Sequence, residues 1–148
     1  MNSLPPEPRT SAYRDITEGQ QETFDYPITP DVYNRFLDAF EDYSPIHVDE
    51  AFAKSKGFTG RVMHGSILNG FVSHFVGMWF PGRFSLLLSV DLRFAQPSYL
   101  GDVIRLEAVV RQKMDSQEIV ILDVTLNNLT RKLLAARGRI QVMVNNPA

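Results

Sequence analysis

Cysteine is absent from this chain of 148 residues, which excludes disulfide bonds and thiolate metal sites. A strong charge of one sign is also absent, because 15 lysines and arginines stand against 17 aspartates and glutamates, for a formal net charge of -2. This balance provides no electric field that would favour nucleic acid or a membrane surface as the main partner. The function is therefore expected to reside in a local site.

The sequence has no apolar run long enough to cross a membrane. Its most apolar segment, residues 67–80, is interrupted by Asn69, Ser73 and His74 and is shorter than the roughly 20 residues that a bilayer requires. Residues 1–20 carry several prolines and mixed charges, and they lack the apolar stretch of a secretory signal. We therefore expect a cytoplasmic protein in which residues 67–80 belong to a core helix.

One domain is the expected organisation for this length and for a composition of 44% hydrophobic and 22% charged residues. Residues 1–21 have few bulky apolar side chains to offset the entropy that is lost on ordering. They are predicted to form a flexible N-terminal arm or a draped extension. The remaining residues, 22–148, are predicted to fold as the single domain.

The first elements of this domain carry clear boundary signals. Residues 22–28 predict a short strand, and Pro27 confines that strand to a sheet edge because proline cannot donate to a strand ladder. Thr29 and Pro30 then provide a capping residue and a proline at the first helical position. A helix is therefore predicted from this point to about residue 40.

The middle of the chain predicts one short and one long helix. A loop over residues 41–48 precedes a short helix that ends at residue 56, before a glycine. Residues 65–80 then predict a helix that is apolar around most of its circumference and should be buried. Its small residues recur at helical spacing and form a stripe that another segment is expected to approach closely: Ser66, Gly70, Ser73 and Gly77.

The rest of the chain predicts four strands, because apolar residues recur at every second position from residue 85 onward. The strands are expected over residues 85–94, 103–111, 118–126 and 132–144, with turns at 99–102, 114–116 and 127–128. Successive strands with short connections favour an antiparallel meander over crossover units. The predicted class is α+β, with one curved antiparallel sheet wrapped round the helix at 65–80.

Asp42 and His47 are the first candidates for chemistry, and both lie in the loop EDYSPIH, residues 41–47. A turn stiffened by proline could hold one water molecule between the carboxylate and the imidazole. Their ordinary pKa values, about 3.9 and about 6.5, suit a proton acceptor and a proton donor. A turn with a capping aspartate and an exposed histidine has the same spacing, so the residues alone leave both interpretations open.

His64, Gly65 and Ser66 stand at the predicted start of the long helix, where the first backbone N–H groups have no partner within the helix. Gly65 would let a ligand approach the backbone, and the helix dipole favours negative charge on a carbonyl oxygen there. A glycine that is needed only for tight packing would produce the same sequence. Both interpretations stay open at this point.

Together these motifs resemble the MaoC-like, or R-specific enoyl-CoA hydratase, branch of the hot-dog fold. The family pattern Asp-x-Asn-Pro-hydrophobic-His, followed after five residues by a small residue, is similar to residues 42–47 with Ala53. Residues 60–65, GRVMHG, resemble the family's Gly-Arg-Ile-Ala-His-Gly. The family's second-half strand and turn are similar to Leu92-Arg93-Phe94, Pro97 and Gly101-Asp102. The likeness extends from about residue 24 to residue 144.

The resemblance implies the hot-dog fold and addition of water across the 2,3 double bond of a trans-2-enoyl thioester. The reverse dehydration of an R-3-hydroxyacyl thioester is implied equally. By the same resemblance Asp42 and His47 are the catalytic residues, which hold and activate the water and move the proton. The Gly65 amide would bind the thioester carbonyl, with Ser73 in the same site. The substrate-binding residues expected from the matched motifs are Ser44, His64, Gly65 and Ser73.

The resemblance also implies partners. No metal or redox cofactor is expected, and coenzyme A or an acyl carrier protein would take part only as the carrier of the acyl group. A homodimer or a higher homo-oligomer is expected as well, because a sheet round one helix leaves a strand edge that needs cover. Arg83 and Arg93 are candidates for contact with coenzyme A phosphates, because arginine matches phosphate geometry, but a solvated strand face is the favoured interpretation of Arg93.

One departure from the family pattern is Ser44, which stands where most members have asparagine. The shorter hydroxyl side chain could lower activity, shift the substrate or mark a non-catalytic member. A non-catalytic acyl-thioester-binding subunit is therefore kept as an alternative. An acyl-CoA thioesterase is a second alternative, but residues 65–80 contain no Asp or Glu that could serve as its base or nucleophile.

Overall fold

The computed structural model describes residues 6–145, and its centre is one five-stranded antiparallel sheet. The strands are β1 (Gln21–Pro27), β2 (Ser85–Phe94), β3 (Val103–Met114), β4 (Ile119–Asn128) and β5 (Leu133–Val144). The helices are α1 (Pro30–Phe40), α2 (Pro45–Val48), α3 (Glu50–Ser55) and α4 (Ser66–His74), the last continued by a π-helical turn, Phe75–Trp79. Buried residues of α4 and of the sheet belong to one hydrophobic core, which confirms the predicted α+β hot-dog arrangement.

The alternation predicted for the strands is confirmed by their burial. Every second residue of β3 and β4 is almost fully buried and faces the core: Ile104, Leu106, Ala108, Val110, Val120, Leu122, Val124 and Leu126. The two sets are in register, since Leu106 lies opposite Leu126. One face of the sheet therefore covers the core, and the other face carries most of the charged side chains of these strands.

The strand order, β1-β3-β4-β5-β2, corrects the predicted meander. Strands β3, β4 and β5 follow one another as expected, but β2 pairs with β5 and not with β3, its successor in the chain. The connection over residues 95–102 therefore passes from one side of the sheet to the other. Turn signals specify only local pairing, so they could not predict this arrangement. Strand β1 lies at the opposite edge, as Pro27 predicts.

The turn predicted at residues 127–128 is also displaced. Both asparagines pair within the sheet, and the turn follows at residues 129–132. Asn128 is 1% exposed, and its Nδ2 donates to Asp102 Oδ2 at 2.7 Å and to Ser98 Oγ at 3.2 Å. These acceptors satisfy the buried amide inside a strand, and tertiary contacts therefore override the turn tendency of asparagine.

Helix α1 begins as the sequence predicts and ends in a strained residue. The Thr29 side chain accepts a hydrogen bond from the Val32 backbone N–H at 3.2 Å, which caps the first turn. After the last helical residue the backbone turns into the left-handed region at Glu41, with a φ of 52°. The loop predicted over residues 41–48 is shorter than expected, because Pro45 begins the single turn of α2.

Helix α4 is buried on one face only. Its core residues are Ile67, Leu68, Phe71 and Val72, whereas Ser66, Gly70 and Ser73 are exposed. A side-chain carbon placed on Gly70 or Gly77 would find no atom within 4 Å. The close approach predicted for this stripe is therefore wrong for the described residues of a single chain. No helix within residues 6–145 has both the length and the apolar character needed to span a bilayer.

Residues 6–20, the described part of the expected arm, lie against the domain. The backbone N–H of Arg9 donates to the carbonyl oxygen of Met78 at 2.9 Å, and the Tyr13 hydroxyl donates to Asp115 Oδ1 at 2.8 Å. Tyr13 and Ile16 are 7% and 1% exposed and belong to the core. These contacts give the segment the form of a draped extension, and the packed unit begins before residue 22. Residues 1–5 lie outside the described part of the chain.

Candidate active site

Asp42 and His47 are brought together by the short segment between α1 and α3. The left-handed residue Glu41 reverses the chain after α1, and the Asp42 carboxylate then accepts a hydrogen bond from the Ser44 backbone N–H at 3.2 Å. Helix α2 follows at once and carries His47 on its single turn. Asp42 Oδ2 and His47 Nε2 lie 3.9 Å apart as a result.

The orientation of His47 is fixed by its other ring nitrogen. His47 Nδ1 lies 2.7 Å from the carbonyl oxygen of Val62, and because a carbonyl can only accept, Nδ1 carries the hydrogen. The neutral ring therefore has its lone pair on Nε2, which faces Asp42. A distance of 3.9 Å is too long for a direct hydrogen bond and is suited to a water molecule that contacts both groups.

Tyr33 supports the loop through its hydroxyl group, a role that its sequence pattern did not indicate. Its side chain is 2% exposed, and its hydroxyl donates to the backbone carbonyl of His47 and, at 3.3 Å, to that of Val62. Burial raises the pKa of the Tyr33 hydroxyl, so the group stays a donor at neutral pH. A tyrosine on the inner face of an amphipathic helix is typical of ordinary core packing, which is why the pattern alone did not single it out.

His64 lies directly against the pair. Its ring stacks on the ring of His47, with centroids 3.9 Å apart and 28° between the planes. Nε2 donates to the backbone carbonyl oxygen of Asp42 at 2.9 Å and lies 3.9 Å from Asp42 Oδ2. Burial lowers the pKa of His64, and the neighbouring His47 lowers it further, so the ring is neutral at pH 7. The structure therefore places His64 where it holds Asp42 and His47 in position.

Gly65 is the N-cap residue of α4 and lines the wall of a pocket of about 280 Å³. A side-chain carbon at Gly65 would meet the ring of Phe94 at 3.3 Å, so glycine leaves the helix start open to this pocket. The remaining lining residues are His47, Val62, Met63, Leu68, Ala95, Gln96, Pro97, Ser98 and Ala135. The pocket thus joins an imidazole, a helix N-terminus and a largely apolar wall.

A second pocket, of about 540 Å³, opens beside Asp42. It is lined by Phe36, Phe40, Asp42, Ser66, Asn69 and Gly70. Because Asp42 and His47 lie 3.9 Å apart, the pair stands where the two pockets approach each other. A substrate could therefore extend to both sides of the reacting groups.

The expected site residues differ in how close they lie to this centre. Asp42, His47 and His64 are in mutual contact, and Gly65 shares a pocket with His47. Ser44 is exposed and touches Asp42 through its backbone, while its hydroxyl caps no helix. Ser73 lies on the exposed face of α4 and lines neither pocket. Within one chain, the structure therefore does not bring Ser73 to the Asp/His pair.

Asp42, His47 and His64 are also the residues here that could hold a metal ion, because their ligand atoms lie within 4.8 Å of one another. His64 Nε2, however, carries the hydrogen that it donates to the Asp42 carbonyl. That nitrogen would have to lose its proton and its hydrogen bond before it could bind a cation. The arrangement as it stands suits acid–base chemistry on a water molecule.

The sheet packed on α4 defines the structural class as the hot-dog fold. Within that class, the sequence matches the MaoC like domain over residues 13–131, and the chain belongs to that family. The structure is similar to that of an (R)-hydratase from Aeromonas caviae involved in PHA biosynthesis, with a TM-score of 0.82 and 26% identity. That match covers 89% of this chain and 99% of the other.

Two curated relatives carry the name (R)-specific enoyl-CoA hydratase. The one from Rhodospirillum rubrum is 25% identical over 130 residues, which cover 88% of this chain and 90% of the relative. The one from Aeromonas caviae is 33% identical over 82 residues, which cover 55% of this chain and 61% of the relative. The family and the fold predicted from the sequence motifs are therefore confirmed.

Proposed function

We propose that this chain is an R-specific hydratase that adds water to a trans-2-enoyl-CoA, and that it also catalyses the reverse dehydration of an R-3-hydroxyacyl thioester. The observation that carries the proposal is the 3.9 Å separation between Asp42 Oδ2 and His47 Nε2, with Nδ1 of the histidine engaged by Val62. The names of the relatives in the same family support this lyase activity.

The geometry supports a simple course for the hydration. A water molecule between the two side chains donates one hydrogen to the Asp42 carboxylate and one to His47 Nε2, which leaves an oxygen lone pair free to attack C3. As the C–O bond forms, one of the two groups takes a proton from the water. The group that took this proton then delivers it to C2, so the product gains one complete water molecule. The π electrons of the 2,3 bond form the new C–H bond through an enolate.

The enolate oxygen needs stabilisation, and the start of α4 offers it. The N–H groups of Gly65 and Ser66 precede the first hydrogen bonds of the helix, which run from Ile67 to His64 at 3.1 Å and from Leu68 to Gly65 at 3.0 Å, and the helix dipole concentrates positive potential at this end. We assign the thioester carbonyl to this position, in the pocket that Gly65 shares with His47. Ser44 and Ser73 stay predicted substrate-binding residues, and Ser73 would require an arrangement beyond the single chain.

A homodimer is part of the same proposal. Strand β2 is an edge strand, and its large side chains Leu86, Leu88 and Val90 are 58%, 41% and 38% exposed. An edge strand with exposed apolar side chains is expected to pair with the same strand of a second copy of the chain. The exposed small-residue face of α4 would then be covered as well. Sedimentation of the purified protein at micromolar concentration should give a dimer or larger species, and a uniform monomer would contradict this part.

The activity is tested by incubating the purified protein with crotonyl-CoA and following the absorbance of the conjugated thioester. Loss of that absorbance, with R-3-hydroxybutyryl-CoA as the product, is the expected result. Release of a free thiol instead would indicate a thioesterase. Binding of enoyl thioesters of every chain length without turnover would favour the non-catalytic acyl-thioester-binding subunit. An enoyl thioester on an acyl carrier protein, supplied in parallel, distinguishes the two carriers.

A further inference from the structure

The pocket of about 540 Å³ beside Asp42 has an aromatic wall. This wall consists of Phe36 and Phe40, one turn apart on α1, with ring centroids 4.7 Å apart. Phe40 is 69% exposed, so the wall offers apolar surface that no other part of residues 6–145 covers. An acyl chain would be favoured against these rings, because its apolar atoms would leave water there.

A second wall of the same pocket belongs to α4 and is polar. It carries Ser66, Asn69 and Gly70, which share one face of the helix because they are three and four residues apart. Asn69 is partly buried, and among residues 6–145 its side-chain amide takes part in no hydrogen bond. A side-chain carbon placed on Gly70 would find no atom within 4 Å, so the space beside Asn69 is open. The amide therefore offers the pocket both a donor and an acceptor.

This pocket reaches the reacting groups directly. Asp42, whose Oδ2 lies 3.9 Å from His47 Nε2, is itself one of the lining residues. The ring of Phe36 lies 4.7 Å from that of His64 between centroids, so the aromatic wall continues to the histidine that stacks on His47. With the thioester carbonyl at Gly65 in the smaller pocket, the larger pocket is left for the acyl chain beyond C3.

The position and the charge of this wall define the group that Asn69 would recognise. Asn69 is four residues after Gly65, about 6 Å along the helix axis at about 1.5 Å per residue, and so lies beyond the reacting C3. The lining residues include the carboxylate of Asp42 and, within the part of the chain that the structure describes, no lysine or arginine. An anionic substituent would therefore be repelled. A neutral hydroxyl or carbonyl group is the chemistry that fits an amide here.

We propose that Asn69 is a specificity-determining residue, which hydrogen-bonds a neutral polar substituent near C5 of the acyl chain. The inference rests on the proposed function, because it takes a trans-2-enoyl thioester as the occupant of the pocket. An unsubstituted chain would fill the same space but would take water from the amide without replacing its hydrogen bonds, which is unfavourable. The protein should therefore prefer an oxygenated enoyl chain to an apolar chain of the same length.

The test compares trans-2-hexenoyl-CoA with its 5-hydroxy derivative, by the loss of absorbance of the conjugated thioester, in the wild type and in Asn69→Leu. The wild type should have a kcat/KM about tenfold higher for the hydroxylated substrate, the scale of one hydrogen bond in a partly open pocket. Leucine is similar to asparagine in size and has no polar side-chain atom, so the variant should lose this preference. Asn34→Leu is the matched control and should keep it, because Asn34 is an exposed helical asparagine that lines neither pocket.

Several results would overturn the assignment. These are the absence of a preference in the wild type, a preference that survives in Asn69→Leu, and loss of the preference in Asn34→Leu. Loss of the preference in Ser66→Ala but not in Asn69→Leu would assign the contact to the serine. An equal loss of activity toward both hexenoyl substrates and crotonyl-CoA in Asn69→Leu would indicate a structural role, for example in contact with a second copy of the chain, and would overturn it as well.

Calorimetric binding separates this inference from the proposed function. If the protein hydrates no enoyl thioester, both hexenoyl compounds stay intact, and their Kd values can be compared directly. A Kd about tenfold lower for the hydroxylated compound in the wild type, with equal values in Asn69→Leu, would refute the function and retain the Asn69 contact. Equal Kd values in the wild type, or no measurable binding of either compound, would overturn the contact too. Hydration of both compounds without a preference would retain the function and refute the contact.

Discussion

His47 donates a hydrogen bond from Nδ1 to the carbonyl oxygen of Val62 at 2.7 Å, and this contact directs its Nε2 toward the Asp42 carboxylate 3.9 Å away. Val62 lies in the GRVMHG motif, whereas His47 lies in the separate Asp-x-Ser-Pro-x-His motif. The backbone of one motif thus sets the tautomer and the orientation of His47 in the other. The same motif also supplies His64, whose Nε2 donates to the Asp42 backbone at 2.9 Å.

Asp42→Asn and His47→Ala should each lower the turnover of crotonyl-CoA by about 100-fold or more, the scale for losing a positioned acid or base. Asp42 is half-exposed and makes no core contact that the change would remove, so the asparagine variant should keep the wild-type melting temperature. If both groups act on one water molecule as proposed, the double variant should be little worse than the poorer single variant. Steady-state kinetics provide the measurement, and unchanged turnover or fully additive losses would contradict a shared water.

Gly65→Ala should impair catalysis more than folding. The backbone at Gly65 is helical, with a φ of -56°, so alanine is tolerated there, but its methyl group would meet the Phe94 ring at 3.3 Å. We expect kcat/KM to fall by about tenfold, since the new methyl group lies at the pocket wall where the thioester would bind. Phe94→Ala in the same chain removes the clash and should restore part of the activity. No recovery in that double variant would mean that the methyl group acts by some other contact.

The free energy of unfolding should decrease as the pH falls below about 6.5, the ordinary pKa of histidine. Burial lowers the pKa of His64 in the folded chain, so the unfolded chain binds the proton more tightly below that pH. Burial lowers the pKa of His74 as well, and its effect has the same sign. Thermal unfolding of the wild type and of His64→Gln across this range is the measurement. The stability of the variant should depend less on pH than that of the wild type. Parallel curves of stability against pH would contradict a neutral buried His64.

Asp102 should be among the most important polar residues for stability. It is 2% exposed and accepts hydrogen bonds from Asn128 Nδ2 at 2.7 Å, Arg131 Nε at 2.7 Å and the Tyr99 backbone at 3.0 Å. Asp102→Ala leaves these donors unpaired. It should lower the free energy of unfolding, measured by urea denaturation, by about 3 kcal/mol. Asp25→Ala is the matched control, because it breaks the exposed Arg105 pair and should cost about 1 kcal/mol or less. Similar losses of unfolding free energy in the two variants would show that burial of the carboxylate does not determine its contribution to stability.

The sequence predicted the local elements of the fold because local signals specify them. Thr29 caps α1, Pro27 lies in an edge strand, and alternating residues of β3 and β4 face the core. The position of β2 beside β5 and the burial of Asn128 could not be predicted in this way. Both depend on contacts between segments that are distant in the sequence, which the periodicity of a single strand does not contain.

The candidate site, like the fold, could be predicted from the sequence only where local motifs specify it. Motif spacing pointed to Asp42, His47 and Gly65, since two of them lie in one short loop and the third at a helix start. The stacking of His64 on His47 and the support from Tyr33 arise only when α1, the loop and the start of α4 meet in space. No spacing rule in the sequence connects those three segments.

Ser44→Asn tests whether the one departure from the family pattern impairs this member. The loop is already held without the Ser44 side chain, because the Asp42 carboxylate accepts from the Ser44 backbone at 3.2 Å and Tyr33 donates to the His47 carbonyl. The Ser44 hydroxyl makes no capping hydrogen bond to α2. An added asparagine amide would contribute one neutral hydrogen bond at most, worth about 0.5 to 1.5 kcal/mol.

We therefore expect Ser44→Asn to leave kcat/KM for crotonyl-CoA within about fivefold of the wild type, as one neutral hydrogen bond allows. Ser44→Ala is the matched control, and it should also stay near the wild type if the loop depends on the backbone contact alone. A rise of an order of magnitude with asparagine would show that the serine had weakened an ancestral activity. Loss of a strong activity would instead make Ser44 part of the substrate specificity, because only a contact with the substrate would make the hydroxyl irreplaceable.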